Sequence, residues 1–149
     1  MASQGKLKEW QDVPRYEQSL NEILGWETGL GPSEKEDSLF VDPCQLERFE
    51  SAMDIVTLDS QRAACFGSSY GKSLLRAGSY VQVNDRIRRF TPREVTSLLG
   101  FPAYFKVDKV VSRRTAWKLL GNSLSLPAVR YIVSHIENGI SATLPWIER

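Results

Sequence analysis

Residues 89–102 read RFTPREVTSLLGFP, a helix marked at both ends. Thr91 can cap the first free amides, Pro92 suits the first helical position, and Glu94 completes a capping box. Phe90 and Val95 flank the cap at the spacing of a hydrophobic staple. These devices contribute about 1–2 kcal/mol to that helix end, mostly through the cap. Leu98 and Leu99 give the helix its buried face. Gly100 ends it in the left-handed conformation that glycine tolerates.

The same punctuation continues downstream. Ser112 can cap a helix that runs to Leu120 and stops at Gly121. Ser125, with Pro127 in the first turn, starts another. Val129, Ile132, Val133 and Ile136 line one face of that helix at i, i+3, i+4 and i+7, and Asn138-Gly139 is expected to end it. Upstream, Asp42-Pro43-Cys44-Gln45 opens a helix with a cap, a first-position proline and a Gln at the capping-box position, and Leu46, Phe49 and Met53 follow at helical spacing. Asp54–Thr57 and Ala63–Phe66 read as short strands around a turn at Asp59-Ser60, and Tyr80–Val83 as a third, closed by Asn84-Asp85. Residues 67–79 hold three Gly and four Ser and read as a flexible, partly basic loop. An amphipathic helix over Tyr16–Leu24 before Gly25, a linker over 29–38, and packing roles for Trp10 and Trp26 complete the reading.

At 149 residues and 42% apolar composition, the chain has the size of one globular domain. Such a length buries roughly 68–70% of the surface its unfolded form exposes. The formal net charge of +1 hides a division. Residues 1–59 carry 13 acids and 5 bases, a net of −8, whereas residues 60–149 carry 14 bases and 5 acids, a net of +9. Two such halves suit either mutual docking or a basic face turned toward a polyanion. No stretch approaches the 18 or more apolar residues that span a bilayer, and the opening residues MASQGKLKEWQD lack the apolar core of a secretory signal. Two cysteines 21 apart and a single histidine argue against a disulfide framework, a zinc module or a histidine triad. A soluble protein of a reducing compartment, in the cytoplasm, the nucleus or both, is expected.

Arg89-Phe90-Thr91-Pro92-Arg93-Glu94, followed by Leu98-Leu99-Gly100-Phe101-Pro102, resembles the ninth motif of the cytosine-C5 methyltransferases. Leu120-Gly121-Asn122-Ser123-Leu124, running into an apolar helix, resembles their tenth and last. Leu46-Glu47-Arg48-Phe49, Ala52-Met53-Asp54-Ile55-Val56, Cys65-Phe66, Tyr70-Gly71 and Gly78-Ser79 resemble the target-recognition region of the eukaryotic type 2 branch, which methylates transfer RNA. The likeness covers about residues 43–137. It departs at Gly67, where the branch usually has Thr. Motifs matching the family's glycine-containing cofactor loop and its Glu-Asn-Val motif do not occur in the chain.

The resemblance implies an α+β chain. A small target-recognition region would be joined to the terminal helices of a Rossmann-like α/β methyltransferase domain whose catalytic and cofactor half is absent. Residues 1–42 would be an acidic, loop-rich segment, 43–88 the target-recognition region, and 89–149 the helical segment between motifs nine and ten. It also implies a C-terminal portion of an S-adenosylmethionine-dependent enzyme acting on transfer RNA or DNA, partnered by the missing half in the same gene or a separate chain. In the family reaction the base is flipped out, a cysteine adds to C6, and C5 takes the methyl group. The alternative is a non-catalytic nucleic-acid-binding or regulatory module of the same descent.

By the resemblance, Asn122, Ser123 and Leu124 form part of the S-adenosylmethionine pocket. The local chemistry agrees, since a bend between helices offers backbone donors, an amide and a hydroxyl. It also agrees with a mere stop and restart of helix. Arg86, Arg88, Arg89 and Arg93 crowd eight positions, with Arg113 and Arg114 later, and suit phosphate contact, or pairing with the acidic half. Lys72 and Arg76 suit RNA contact or a solvated loop equally. No residue is expected to be catalytic and none to bind metal. Pro43-Cys44-Gln45 spells the family's nucleophile loop but opens a helix and lacks the preceding Gly-Gly-Pro. Cys65 is expected to be a small buried side chain, and His135 a structural or surface residue.

Overall fold

The computed structural model describes residues 18–25 and 37–143, with side chains through Ile136. The readings placed on Trp10, Tyr16, Trp26 and most of the 29–38 linker lie outside these residues.

Local chemistry sets the helix ends. Ser19 caps α1 (Leu20–Leu24) through a reciprocal box with Glu22, and Gly25 closes it. Asp42 caps α2 (Pro43–Phe49) by accepting from the amides of Cys44 and Gln45. A 3₁₀ turn over Glu50–Ala52 continues it to Met53. Thr91 and Glu94 form the expected box at α3 (Pro92–Leu98): Thr91 Oγ1 accepts from Glu94 N at 3.1 Å, and Glu94 Oε2 from Thr91 N at 2.6 Å. Replacing Thr91 with alanine is expected to cost about 1 kcal/mol, read as a lower urea midpoint at unchanged slope. Gly100 adopts φ +76°, the left-handed stop that its position requires. Ser112 caps α4 (Arg113–Leu120), and α5 (Leu126–Thr143) follows. The Asn138-Gly139 stop is overturned, because α5 continues to Thr143: one glycine in a helix costs only about 1 kcal/mol against alanine.

Three short strands make a mixed sheet in the order β1 (Asp54–Val56), β2 (Ser79–Val83), β3 (Arg86–Arg89). β2 is central, parallel to β1 and antiparallel to β3. Asn84 and Asp85 turn β2 into β3, with Asn84 in the left-handed region at φ +52°. The strand expected at Ala63–Phe66 is not one. Ala64 N is taken at 2.7 Å by Ser79 Oγ, which itself donates to Asp54, so the segment is tied to the sheet by a side chain and not by a ladder. β3 lacks the alternation that marks a strand, having one apolar residue among three arginines. Phe40 bridges to Arg88 and Val41 N donates to Ile87 O, covering the outer edge of β3.

The core runs from Leu20 and Leu39 through Val56, Tyr80 and Val81 to Phe90, Val95, Trp117 and Leu120, with no buried residue from α2. Tyr70 is its junction. The 67–79 loop is anchored through this side chain, which is 1% exposed. Burial pushes the Tyr70 phenol far above the ordinary tyrosine range, so it stays protonated. Its hydroxyl donates to Ser79 O at 2.7 Å and accepts from Phe90 N at 2.9 Å. The ring meets Phe66 and Trp117 edge-on, at 5.0 and 5.7 Å between centroids. Trp117 Nε1 donates to Phe90 O at 2.9 Å, which fixes α4 to the start of α3.

Candidate functional site

The bend at Gly121-Asn122-Ser123 is held from both sides. Leu126 N donates to Leu99 O at 2.8 Å, fixing the start of α5 to the end of α3. On the other side the backbone of Gly67 lies so near that a Cβ on Gly121 would stand 2.2 Å from its carbonyl carbon. Only glycine permits that approach. The amides expected to be available at the bend are already used: Asn122 N donates to Leu119 O and Ser123 N to Leu120 O. Ser123 Oγ donates to Leu119 O as well. What the bend still offers outward is the exposed Asn122 amide and the Leu124 side chain, which is 72% exposed.

Beyond the bend, the stripe on α5 is uncovered. Ile132 is 56% and Ile136 53% exposed, with Val133 between them also exposed. His135 stands on the surface with Nδ1 at 2.8 Å from Tyr131 O.

The structure disperses the arginine cluster. Along β3, alternation sends Arg86 and Arg88 to one face and Ile87 and Arg89 to the other. Arg88 is the correction: it is 2% exposed, and both of its terminal nitrogens meet the Glu94 carboxylate, at 2.8 and 3.0 Å. A guanidinium so enclosed cannot reach a phosphate from solution. Charge near charge in sequence does not tell which side chain turns inward. Arg86 lies over the Phe40 ring at 3.6 Å and pairs with Asp37 at 3.4 Å on the surface. Arg89 is half-buried, 5.8 Å from the Tyr80 ring centroid. Arg93 is exposed and faces a cleft of about 650 Å³ between α1, the outer face of α3 and residues 101–108.

Lys72 and Arg76 are both exposed, and Lys72 lines a shared hollow. Its companions there are Ser68 and Gly71 of the loop, with Arg114, Thr115 and Lys118 of α4. Lys118 was not singled out from sequence. The available signal was its i, i+4 spacing from Arg114, which places both on one helix face. Cys44 is an exposed residue of α2. Cys65, expected inside, is exposed, because its segment runs outside the ladder while the neighbouring Phe66 packs inward on Tyr70 and Phe90. Among the described residues no group of three His, Cys, Asp or Glu could hold a metal ion, and no helix is long and apolar enough to cross a membrane.

The capped α3, the pinned bend and the small mixed sheet that carries them define a class. Residues 31–138 match the family model for C-5 cytosine-specific DNA methylases, and the chain belongs to that family. Among its relatives is the tRNA (cytosine(38)-C(5))-methyltransferase of Bos taurus, 29% identical over 122 residues, covering 64% of this chain and 31% of the relative. A DNA (cytosine-5)-methyltransferase of Dictyostelium discoideum is 34% identical over 91 residues, covering 51% of this chain and 24% of the relative. The crystal structure of the S. pombe Dnmt2 methyltransferase superposes with a TM-score of 0.71 at 25% identity, over 87% of this chain and 45% of that one. The chain thus spans about a third or less of the curated relatives' length.

Proposed function

We propose that the chain is the C-terminal portion of an S-adenosylmethionine-dependent cytosine-C5 methyltransferase acting on transfer RNA, in the cytoplasm or the nucleus. It supplies target recognition and one wall of the cofactor pocket, while the Rossmann-like catalytic half stands on other polypeptide. The observation that carries this is the uncovered stripe of Ile132, Val133 and Ile136 on α5, running on from a still more exposed Leu124. An apolar row of this kind calls for a covering surface. The missing half, with its sheet, is the surface proposed.

The residues present suit a cofactor at the bend in part. Asn122 and Leu124 are the groups left to hold it, an amide for a polar edge and an apolar side chain for a ring face. Ser123 keeps only acceptor capacity, since its proton is given to Leu119 O. The backbone amides of Asn122 and Ser123 are satisfied within the chain and position the bend. S-adenosylmethionine, when bound, would supply the methyl group. The nucleophile would come from the catalytic half, because Cys44 sits at the first turn of α2 with its amide held by Asp42.

The test is methyl transfer to a transfer-RNA transcript with labelled S-adenosylmethionine. The chain alone is expected to give none. Co-expression with the catalytic portion of the fission-yeast enzyme, cut before its own matching segment, is expected to give transfer that falls at least about tenfold with Asn122→Ala. Transfer by the chain alone, or a stable complex that never methylates, overturns the proposal. A second reading, a non-catalytic nucleic-acid-binding module, is favoured by the hollow between the 67–72 loop and α4. It predicts salt-dependent RNA binding with no affinity for the cofactor.

A further inference from the structure

The hollow beside α4 is lined by cations and hydroxyl-bearing residues. Lys72, Arg114 and Lys118 converge on about 170 Å³ together with the hydroxyl-bearing Ser68 and Thr115, and no acid lines it. All three cations are exposed, and no salt bridge joins any of them to the described residues. Like charges gathered without a counter-ion repel, so a protein that holds them together is organised for an anion.

The gathering is built into the packing. A Cβ on Gly71 would stand 2.7 Å from Trp117 Cε3 and 3.7 Å from Arg114 Cγ, so the loop lies directly on α4 because residue 71 has no side chain. Gly121 admits the backbone of Gly67 and Ser68 in the same way one helical turn beyond Lys118. Tyr70, buried between these two contacts, keeps the loop in place from beneath. Lys72 is therefore carried on a fixed backbone to the side of α4 that presents Arg114 and Lys118.

We infer that Lys72, Arg114 and Lys118, with Ser68 and Thr115, form a binding site for backbone phosphates of the RNA. The inference rests on the reading of the chain as an RNA-acting segment and gives that reading a definite contact surface. The site offers three cations and the Ser68 hydroxyl to phosphate oxygens, with Thr115 Oγ1 beside them in a 2.9 Å hydrogen bond with Ser112 Oγ, and such contacts supply affinity without choosing sequence.

The test measures binding of the full chain to a transfer-RNA transcript across a salt series, for the wild type and for the triple variant Lys72→Ala, Arg114→Ala, Lys118→Ala. A control variant changes Lys106 and Lys109 to alanine. Each phosphate contact steepens the fall of log affinity with log salt by about 0.7–0.9. The triple variant is expected to bind at least about tenfold more weakly, with a slope shallower by about 2–3. The control is expected to stay within about twofold of wild type. Urea denaturation of both variants checks that these exposed substitutions leave the fold intact. A parallel titration with inorganic phosphate, followed by amide shifts of Ser68 and Thr115, separates capture of free phosphate from engagement of the RNA backbone. Shifts at millimolar phosphate with unchanged RNA binding would overturn the RNA assignment. So would wild-type affinity and slope in the triple variant, or a wild-type chain that binds no transfer RNA. Should reconstituted methylation fail while the triple variant still loses RNA binding, the enzyme reading falls and the site stands.

Discussion

Glu94→Ala is expected to destabilise the chain by about 3–5 kcal/mol, because it takes from the buried Arg88 guanidinium the carboxylate that meets both of its terminal nitrogens. Arg88 is 2% exposed, and the two Glu94 oxygens meet its two terminal nitrogens. Glu94 Oε2 also accepts from Thr91 N, so the same substitution removes half of the capping box on α3. Breaking a buried pair from one side is the costly case, since the remaining charge keeps its desolvation penalty and loses what offset it. Glu94→Gln separates the two losses: its amide oxygen can still accept from Thr91 N, but the charge is gone. It should fall between wild type and alanine. The double variant Arg88→Met, Glu94→Leu should lie much nearer to wild type than either single charge deletion, because no ion is then left inside. Denaturant midpoints for the four proteins decide the matter. A Glu94→Ala loss below about 1 kcal/mol would mean that water reaches Arg88 and that the pair is a surface pair in effect.

That pair also shows where sequence reading stops. The Thr91–Glu94 box, the Gly100 stop and the Ser112 cap were all legible, because each is settled by groups within three or four residues of one another. β3 was not legible. Arg-Ile-Arg-Arg has the composition of a charged surface loop, and its strand character comes from β2 on one side and Phe40 on the other. The parallel pairing of β1 with β2 is likewise nonlocal. It spans the segment from Thr57 to Gly78, where Ala64 N donates to Ser79 Oγ instead of joining a ladder. At the candidate site, the Gly-Asn-Ser bend was recognisable from its residues, whereas the use of its amides was not, since that depends on how tightly α4 ends. The cation trio was half legible. Lys72 stood out by its loop and Arg114 by its charge, but Lys118 did not, and the three come together only through the two glycine contacts that lay that loop on α4.

Trp117→Ala should cost about 3–5 kcal/mol, and its effect should extend well past the side chain it removes. The indole is largely buried, meets Tyr70 edge-on at 5.7 Å between ring centroids, and donates its Nε1 proton to Phe90 O at 2.9 Å. Its Cε3 edge is the surface on which Gly71 rests. Deleting the ring opens a cavity under the loop, strands the Phe90 carbonyl, and removes the seat that aligns Lys72 with Arg114 and Lys118. Trp117→Phe keeps most of the packing and loses only the donor, so it should cost about 1–3 kcal/mol, the range for a buried acceptor left without a partner. The two variants therefore part on function more than on stability. Under conditions where both remain folded, Trp117→Phe should keep the wild-type salt slope for transfer RNA. Trp117→Ala should approach the slope of the variant that lacks all three cations, although every cation is still present. Equal slopes for Trp117→Ala and wild type would show that the loop holds its place without the indole, and that Tyr70 alone is sufficient to anchor it.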